Sequence, residues 1–111
     1  MTVKELIDKN IFQLVNEGEN LNQEITDPYC CDLLSVAMGK APRGAVWVTV
    51  MANMNTLAVA VLTDVACIIL AEGVLPDEQT VNKAKEQGIT VLAAGEPVFE
   101  TSLQIYQLLN A

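Results

Sequence analysis

A chain of 111 residues, 51% of them hydrophobic, is sized for one domain, residues 1–111, built on one core. Its net charge of −8 repels phosphate backbones and anionic lipid, and its six basic residues (Lys4, Lys9, Lys40, Arg43, Lys83 and Lys85) are too scattered to form a basic stripe, which argues against nucleic-acid and membrane binding. Histidine is absent, which removes the commonest general base, the commonest zinc ligand and every Ser-His-Asp or Cys-His arrangement.

The chain opens with Thr2-Val3-Lys4-Glu5, a capping-box pattern that predicts a helix from about Val3. Leu6 and Ile7 face inward from it, and Asn10 ends it. The opening MTVKELIDKN contains acids and no apolar run, so it does not read as a secretory signal. No apolar run approaches the ~18 residues of a membrane span. The expected location is the cytoplasm. Residues 11–15 read as a short strand, residues 16–22 as a polar turn around Gly18, and Glu24-Ile25-Thr26 as a second short strand.

Asp27-Pro28 then predicts a helix start. Cys30, Leu33, Leu34, Ala37 and Met38 fall on one face at helical spacing, with Asp32 and Ser35 pointing away. Gly39 suits a C-terminal cap, and residues 40–44 form a loop. Cys30, Cys31 and Cys67 are an odd set of thiols in a chain without a secretory signal. They read as reduced and structural, with Cys67 in the core. A redox role for an exposed Cys31 is the alternative, and no basic neighbour supports it.

Residues 45–50 are rich in β-branched and aromatic side chains and read as a central strand. Residues 56–62, TLAVAVL, suit either strand or helix by pattern. Asn53 or Asn55 as an N-cap, and the crossover that parallel strands need, favour the helix. Such a helix is apolar all round and must be covered on two sides. Residues 65–70 form a second central strand, apolar throughout, and Ala71-Glu72-Gly73 a turn. Pro76-Asp77-Glu78 starts a helix that turns Val81 and Ala84 inward and ends at Gly88. Residues 89–92 form a third strand, and Pro97 opens a last helix. Val98, Phe99, Leu103, Ile105, Tyr106 and Leu109 share one broad face of it, opposite Glu100, Gln104 and Gln107. The rhythm from Ala45 onward predicts an α/β fold: an open, mainly parallel sheet with right-handed crossovers and helices on both faces.

Five stretches together resemble the DRTGG domain family, which is similar in turn to the N-terminal domain of HPr kinase/phosphorylase. They are DLLS at residues 32–35, GAVWVT at 44–49, VACIILAEG at 65–73, Pro76-Asp77 opening a helix, and KEQGITVL at 85–92. The resemblance covers nearly the whole chain and is nearest to short stand-alone members. Two departures stand out. The family's Asp-Arg pair has no counterpart in the turn Met51-Ala52-Asn53-Met54-Asn55, and its Thr-Gly-Gly stands as Ala71-Glu72-Gly73. The resemblance implies a regulatory or ligand-sensing domain without catalytic activity of its own, often dimeric, and found beside CBS domains in some pyrophosphatases.

Residues 51–56 lie at the carboxyl end of a central strand and at a helix N-terminus, the usual ligand crevice of open α/β sheets. Thr49, Asn53, Asn55 and Thr56 can hydrogen-bond there, and free backbone N–H groups suit a small anion or a nucleotide. The competing reading is plain helix capping. Glu72 is expected on the same sheet edge, as a base, a cation ligand or a solvated surface residue. GKAPRG at residues 39–44 precedes a strand and lacks phosphate-loop spacing, so it reads as a surface turn. Neither Asp77-Glu78 nor the Glu17/Glu19 pair follows a calcium-loop pattern, and no metal or cofactor is expected. The all-apolar residues 56–62 predict a homodimer seam. An enzyme acting on a phosphorylated or nucleotide substrate at the Asn53 turn is the alternative function, with no catalytic residue assigned.

Overall fold

The computed structural model describes residues Met1–Ala111. The first helix, α1 (Val3–Asp8), begins at the predicted capping box. The Glu5 N–H donates to the Thr2 hydroxyl at 3.2 Å, and the Thr2 N–H donates to the Glu5 carboxylate at 2.9 Å. Strand β1 (Gln13–Asn16) follows. Glu24 forms only an isolated bridge to Thr2, where a short strand was expected.

The expected helix start at Asp27-Pro28 is overturned. Strand β2 (Pro28–Cys30) lies there, parallel to β3 (Val46–Thr49) at the edge of the sheet. An edge position tolerates the missing proline N–H. The Val46 N–H donates to the Asp27 carbonyl at 2.9 Å, and the Trp47 indole N–H to the Cys31 carbonyl at 3.0 Å, so the segment's carbonyls are satisfied as a strand. Helix α2 (Leu34–Lys40) starts later than predicted and runs through Gly39, so Ala41 takes the cap position expected of that glycine. Cys30 is therefore an exposed strand residue, with its thiol 2.7 Å from the Ser102 hydroxyl, and Cys67 is buried as expected.

From β3 onward the predicted alternation holds: α3 (Met54–Thr63), β4 (Cys67–Leu70), α4 (Glu78–Gln87), β5 (Val91–Ala93) and α5 (Val98–Leu109). The sheet order is β1-β5-β4-β3-β2, with β1 antiparallel and the other pairings parallel. Its two faces bury alternate residues. Val46, Val48, Cys67, Ile69 and Leu92 meet Val3 and Leu6 of α1 and Ile105 of α5. Trp47, Ile68, Leu70 and Val91 meet Ala37 of α2, Leu57, Val59 and Ala60 of α3, and Ala84 of α4. All three crossover helices thus cover one face, and α1 and α5 cover the other.

The last helix turns only part of its predicted apolar face inward: Ile105 is buried, and Val98 and Leu109 pack against the core. Thr101 and Ser102 are buried too, whereas Phe99 is 70% exposed and Leu103 and Tyr106 are exposed as well. Small residues let the helix approach the sheet closely, and the Ser102 hydroxyl is satisfied by the Val98 carbonyl at 2.8 Å. Helix α3 buries Thr56, Leu57, Val59 and Ala60 and leaves Leu62 71% exposed. No helix is long and apolar enough to cross a membrane.

Candidate functional site

The turns that follow β3, β4 and β5 gather along the carboxyl edge of the sheet. After β3, Thr49 is fully buried. Its hydroxyl donates to the Asp32 carboxylate at 2.6 Å and accepts from the Met51 N–H at 3.2 Å. The Val50 N–H donates to the same Asp32 oxygen at 2.9 Å. Periodicity puts Asp32 on the outer face of a helix. It lies instead in the β2–α2 connection and fastens that connection to the end of β3. The only local signal was an acid just ahead of an apolar helical run.

Asn53 is the N-cap of α3. Its side-chain oxygen accepts from the Thr56 N–H at 3.2 Å and from the Thr56 hydroxyl at 3.4 Å. Of the five candidate residues, Thr49, Asn53 and Thr56 therefore spend their side chains on holding the turn. The exposed Asn55 and Glu72 keep theirs for solvent. Glu72 has φ 62°, in the left-handed region where Asn and Asp are tolerated and Glu is uncommon. Its N–H donates to the Glu96 carbonyl at 2.8 Å, and the Gly73 N–H to the Ala94 carbonyl at 2.9 Å, so the β4–α4 and β5–α5 turns are stapled together.

Two hollows open on this edge. The one between α3 and α4, lined by Met51, Thr56, Leu57, Pro76 and Thr80, encloses about 10 Å³. That is room for the centre of one water. The other, between the β4–α4 and β5–α5 turns, measures about 260 Å³ and is reached by Gln13, Gln104 and Glu96. The three turns, residues 50–53, 71–77 and 94–97, carry Glu72, Asp77 and Glu96 and no Lys or Arg. The Thr80 N–H, bonded to the Asp77 carboxylate at 2.8 Å, holds that carboxyl below the usual carboxylate range. A bare polyanion would meet like charge here, with only backbone N–H groups to offset it. Nowhere in the fold do three or more Cys, Asp or Glu side chains converge as a metal requires.

The fold is similar to that of a solved structure, the CBS and DRTGG domains of the regulatory region of Clostridium perfringens pyrophosphatase, complexed with its activator diadenosine tetraphosphate. The superposition has a TM-score of 0.68 at 14% identity and covers 95% of this chain and 45% of that one. This chain thus spans less than half the length of that regulatory region, and at such identity the likeness establishes the fold. No protein-family model matches the sequence, and no curated protein matches it.

Proposed function

We propose that this chain is a DRTGG-type regulatory module, distantly akin to the N-terminal domain of HPr kinase/phosphorylase. On this reading it is a non-catalytic, cytoplasmic domain that pairs with a second copy of itself and senses a nucleotide at the carboxyl edge of its sheet. The likeness to a regulatory region solved with a nucleotide activator supports the sensing role. The electrostatics of the edge favour a nucleotide read through its uncharged parts over a bare anion. Of the original five residues, Asn55 and Glu72 are the ones whose side chains stay free along that edge.

The observation that carries the pairing is the outer face of α2 and α3. Leu33, Val36, Met38, Met54, Val61 and Leu62 are exposed there. Residues 33–63 contain no Asp or Glu in a chain with 14 of them, and their only charges are Lys40 and Arg43. Two copies meeting on this face escape the self-repulsion that a net charge of −8 imposes elsewhere. An apolar, acid-free face of two neighbouring helices has the character of an interface core.

Light scattering across a dilution series tests the pairing. The expected result is a dimer at tens of micromolar that Leu62→Glu converts to a folded monomer, with its circular dichroism unchanged. A wild-type chain that is monomeric at that concentration refutes it. A thermal-shift series with adenosine, AMP and diadenosine tetraphosphate tests the sensing. A rise in melting temperature for at least one is expected, and no shift with any of them removes the ligand from the proposal.

A further inference from the structure

We infer that the hollow between the β4–α4 and β5–α5 turns seats a purine base, and that adenine is the base it fits. The inference rests on the nucleotide-sensing reading above and assigns it a place and a chemistry. Three independent observations lead there.

The first is topological. Helices α2, α3 and α4 cover one face of the sheet and α5 the other. Along β2, β3, β4 and β5, only β4 and β5 are parallel neighbours whose following connections part to opposite faces. In open α/β sheets the crevice at such a parting is where ligands sit. The turn at residues 51–56, favoured by the sequence, does not lie at a parting: α3 and α4 leave β3 and β4 on the same side, and the gap between them is nearly filled.

The second is space. The hollow's 260 Å³ suits a base with part of its sugar, and not a whole dinucleotide. The exposed turn residues Gly73 and Gly95 border it. A Cβ added at either glycine would meet no protein atom within 4 Å, so the room in front of the backbone is open. Phe12 and Leu75 supply apolar walls for a planar ring.

The third is the polar lining. Gln13 is placed by the pairing of β1 with Ala93 and Gln104 by α5, and both residues line the hollow. The Glu96 carbonyl is engaged by the Glu72 N–H and by the Thr101 hydroxyl at 3.3 Å, which leaves its carboxylate free. A glutamine amide offers the donor and acceptor that match the N7 and amino edge of adenine, and a carboxylate accepts from the exocyclic amine. No Lys or Arg lines the hollow, so phosphates attached to the base would have to point out into solvent.

A ¹H–¹⁵N titration of the intact chain tests this, with adenosine, guanosine and inorganic phosphate as separate probes, followed by AMP and diadenosine tetraphosphate. Adenosine should shift the backbone amides of Gly73 and Gly95 and the side-chain NH₂ signals of Gln13 and Gln104, and phosphate alone should not. Gln104→Leu should weaken adenosine about tenfold or more. Glu96→Gln provides a second variant, on an exposed turn, should the first fold poorly, and is expected to weaken adenosine as well. Guanosine binding as well as adenosine overturns the assignment of the base. Shifts centred on residues 51–56, indifferent to both variants, overturn the location and leave nucleotide sensing standing. No response to any adenine compound overturns the inference and that reading together.

Discussion

The Thr49 hydroxyl donates to the Asp32 carboxylate at 2.6 Å, joining the last residue of β3 to the connection that precedes α2. Because Thr49 is fully buried, its hydroxyl has no water to fall back on. Asp32→Ala should therefore destabilise the fold by about 1–3 kcal/mol. Thr49→Val should cost less, because the Val50 N–H still reaches Asp32. A urea-unfolding double-mutant cycle measures the coupling. Additive effects of the two substitutions would mean that the bond contributes nothing.

Gly18, in the turn after β1, supplies room as well as a bend. A Cβ there would lie 2.3 Å from the Gly88 carbonyl oxygen and 2.6 Å from the Thr90 nitrogen, both backbone atoms that cannot swing aside. The Gly18 N–H also donates to the Thr90 hydroxyl at 3.0 Å. Gly18→Ala should destabilise by about 1–3 kcal/mol through forced backbone movement. Retention of the wild-type melting temperature would show that the loop moves without cost.

Asn53 caps α3 whether or not a ligand binds nearby. Asn53→Ala should cost about 1 kcal/mol, and Asn53→Asp should be neutral or stabilising, because a carboxylate caps as well and favours the helix N-terminus. Equal losses in both variants, measured by urea unfolding, would contradict the capping role.

Stability should decline at both ends of the pH scale for separate reasons. The N–H bond from Thr2 holds Glu5 below the usual carboxylate range, and the bond from Thr80 does the same for Asp77. Their contribution is present above the unfolded carboxylate pKa and is lost as pH falls through the lower folded values. Burial pushes the Cys67 thiol up from 9.0 to about 12. Between those values the unfolded chain releases this proton and the folded chain keeps it. Stability therefore falls with rising pH, at about 1.4 kcal/mol per unit from this one group. The difference between wild type and Cys67→Ala, followed by urea unfolding across the alkaline range, isolates that slope. Parallel curves would show that the thiol ionises as readily inside as outside.

Local patterns were legible where the physics was local. Thr2 with Glu5, and Asp77 ahead of α4, declare helix starts within four residues. Strand β4 declares burial on two faces by being apolar throughout, and β3 declares a central strand by its β-branched and aromatic residues. Asp27-Pro28 misled because an acid followed by proline opens helices and edge strands alike, and only the pairing of Pro28 with Val46 decides between them. Phe99 and Tyr106 misled because apolar periodicity marks a stripe without saying which part of it the sheet will take. Here Thr101 and Ser102 share the buried side by being small. The role of Asp32 was hidden because its partner lies 17 residues away, across a connection whose course no local pattern encodes. The hollow beside Gly73 and Gly95 was hidden because it depends on which face each helix chooses.

The sheet ends in two short rims, β1 and β2, of four and three residues, and β2 begins with proline. Rims this brief make poor templates for further strands. Edge-to-edge growth of an open-ended polymer is thereby discouraged, which would leave the helical surface as the route for any pairing of copies. An assembly made there between like surfaces closes on itself after two members.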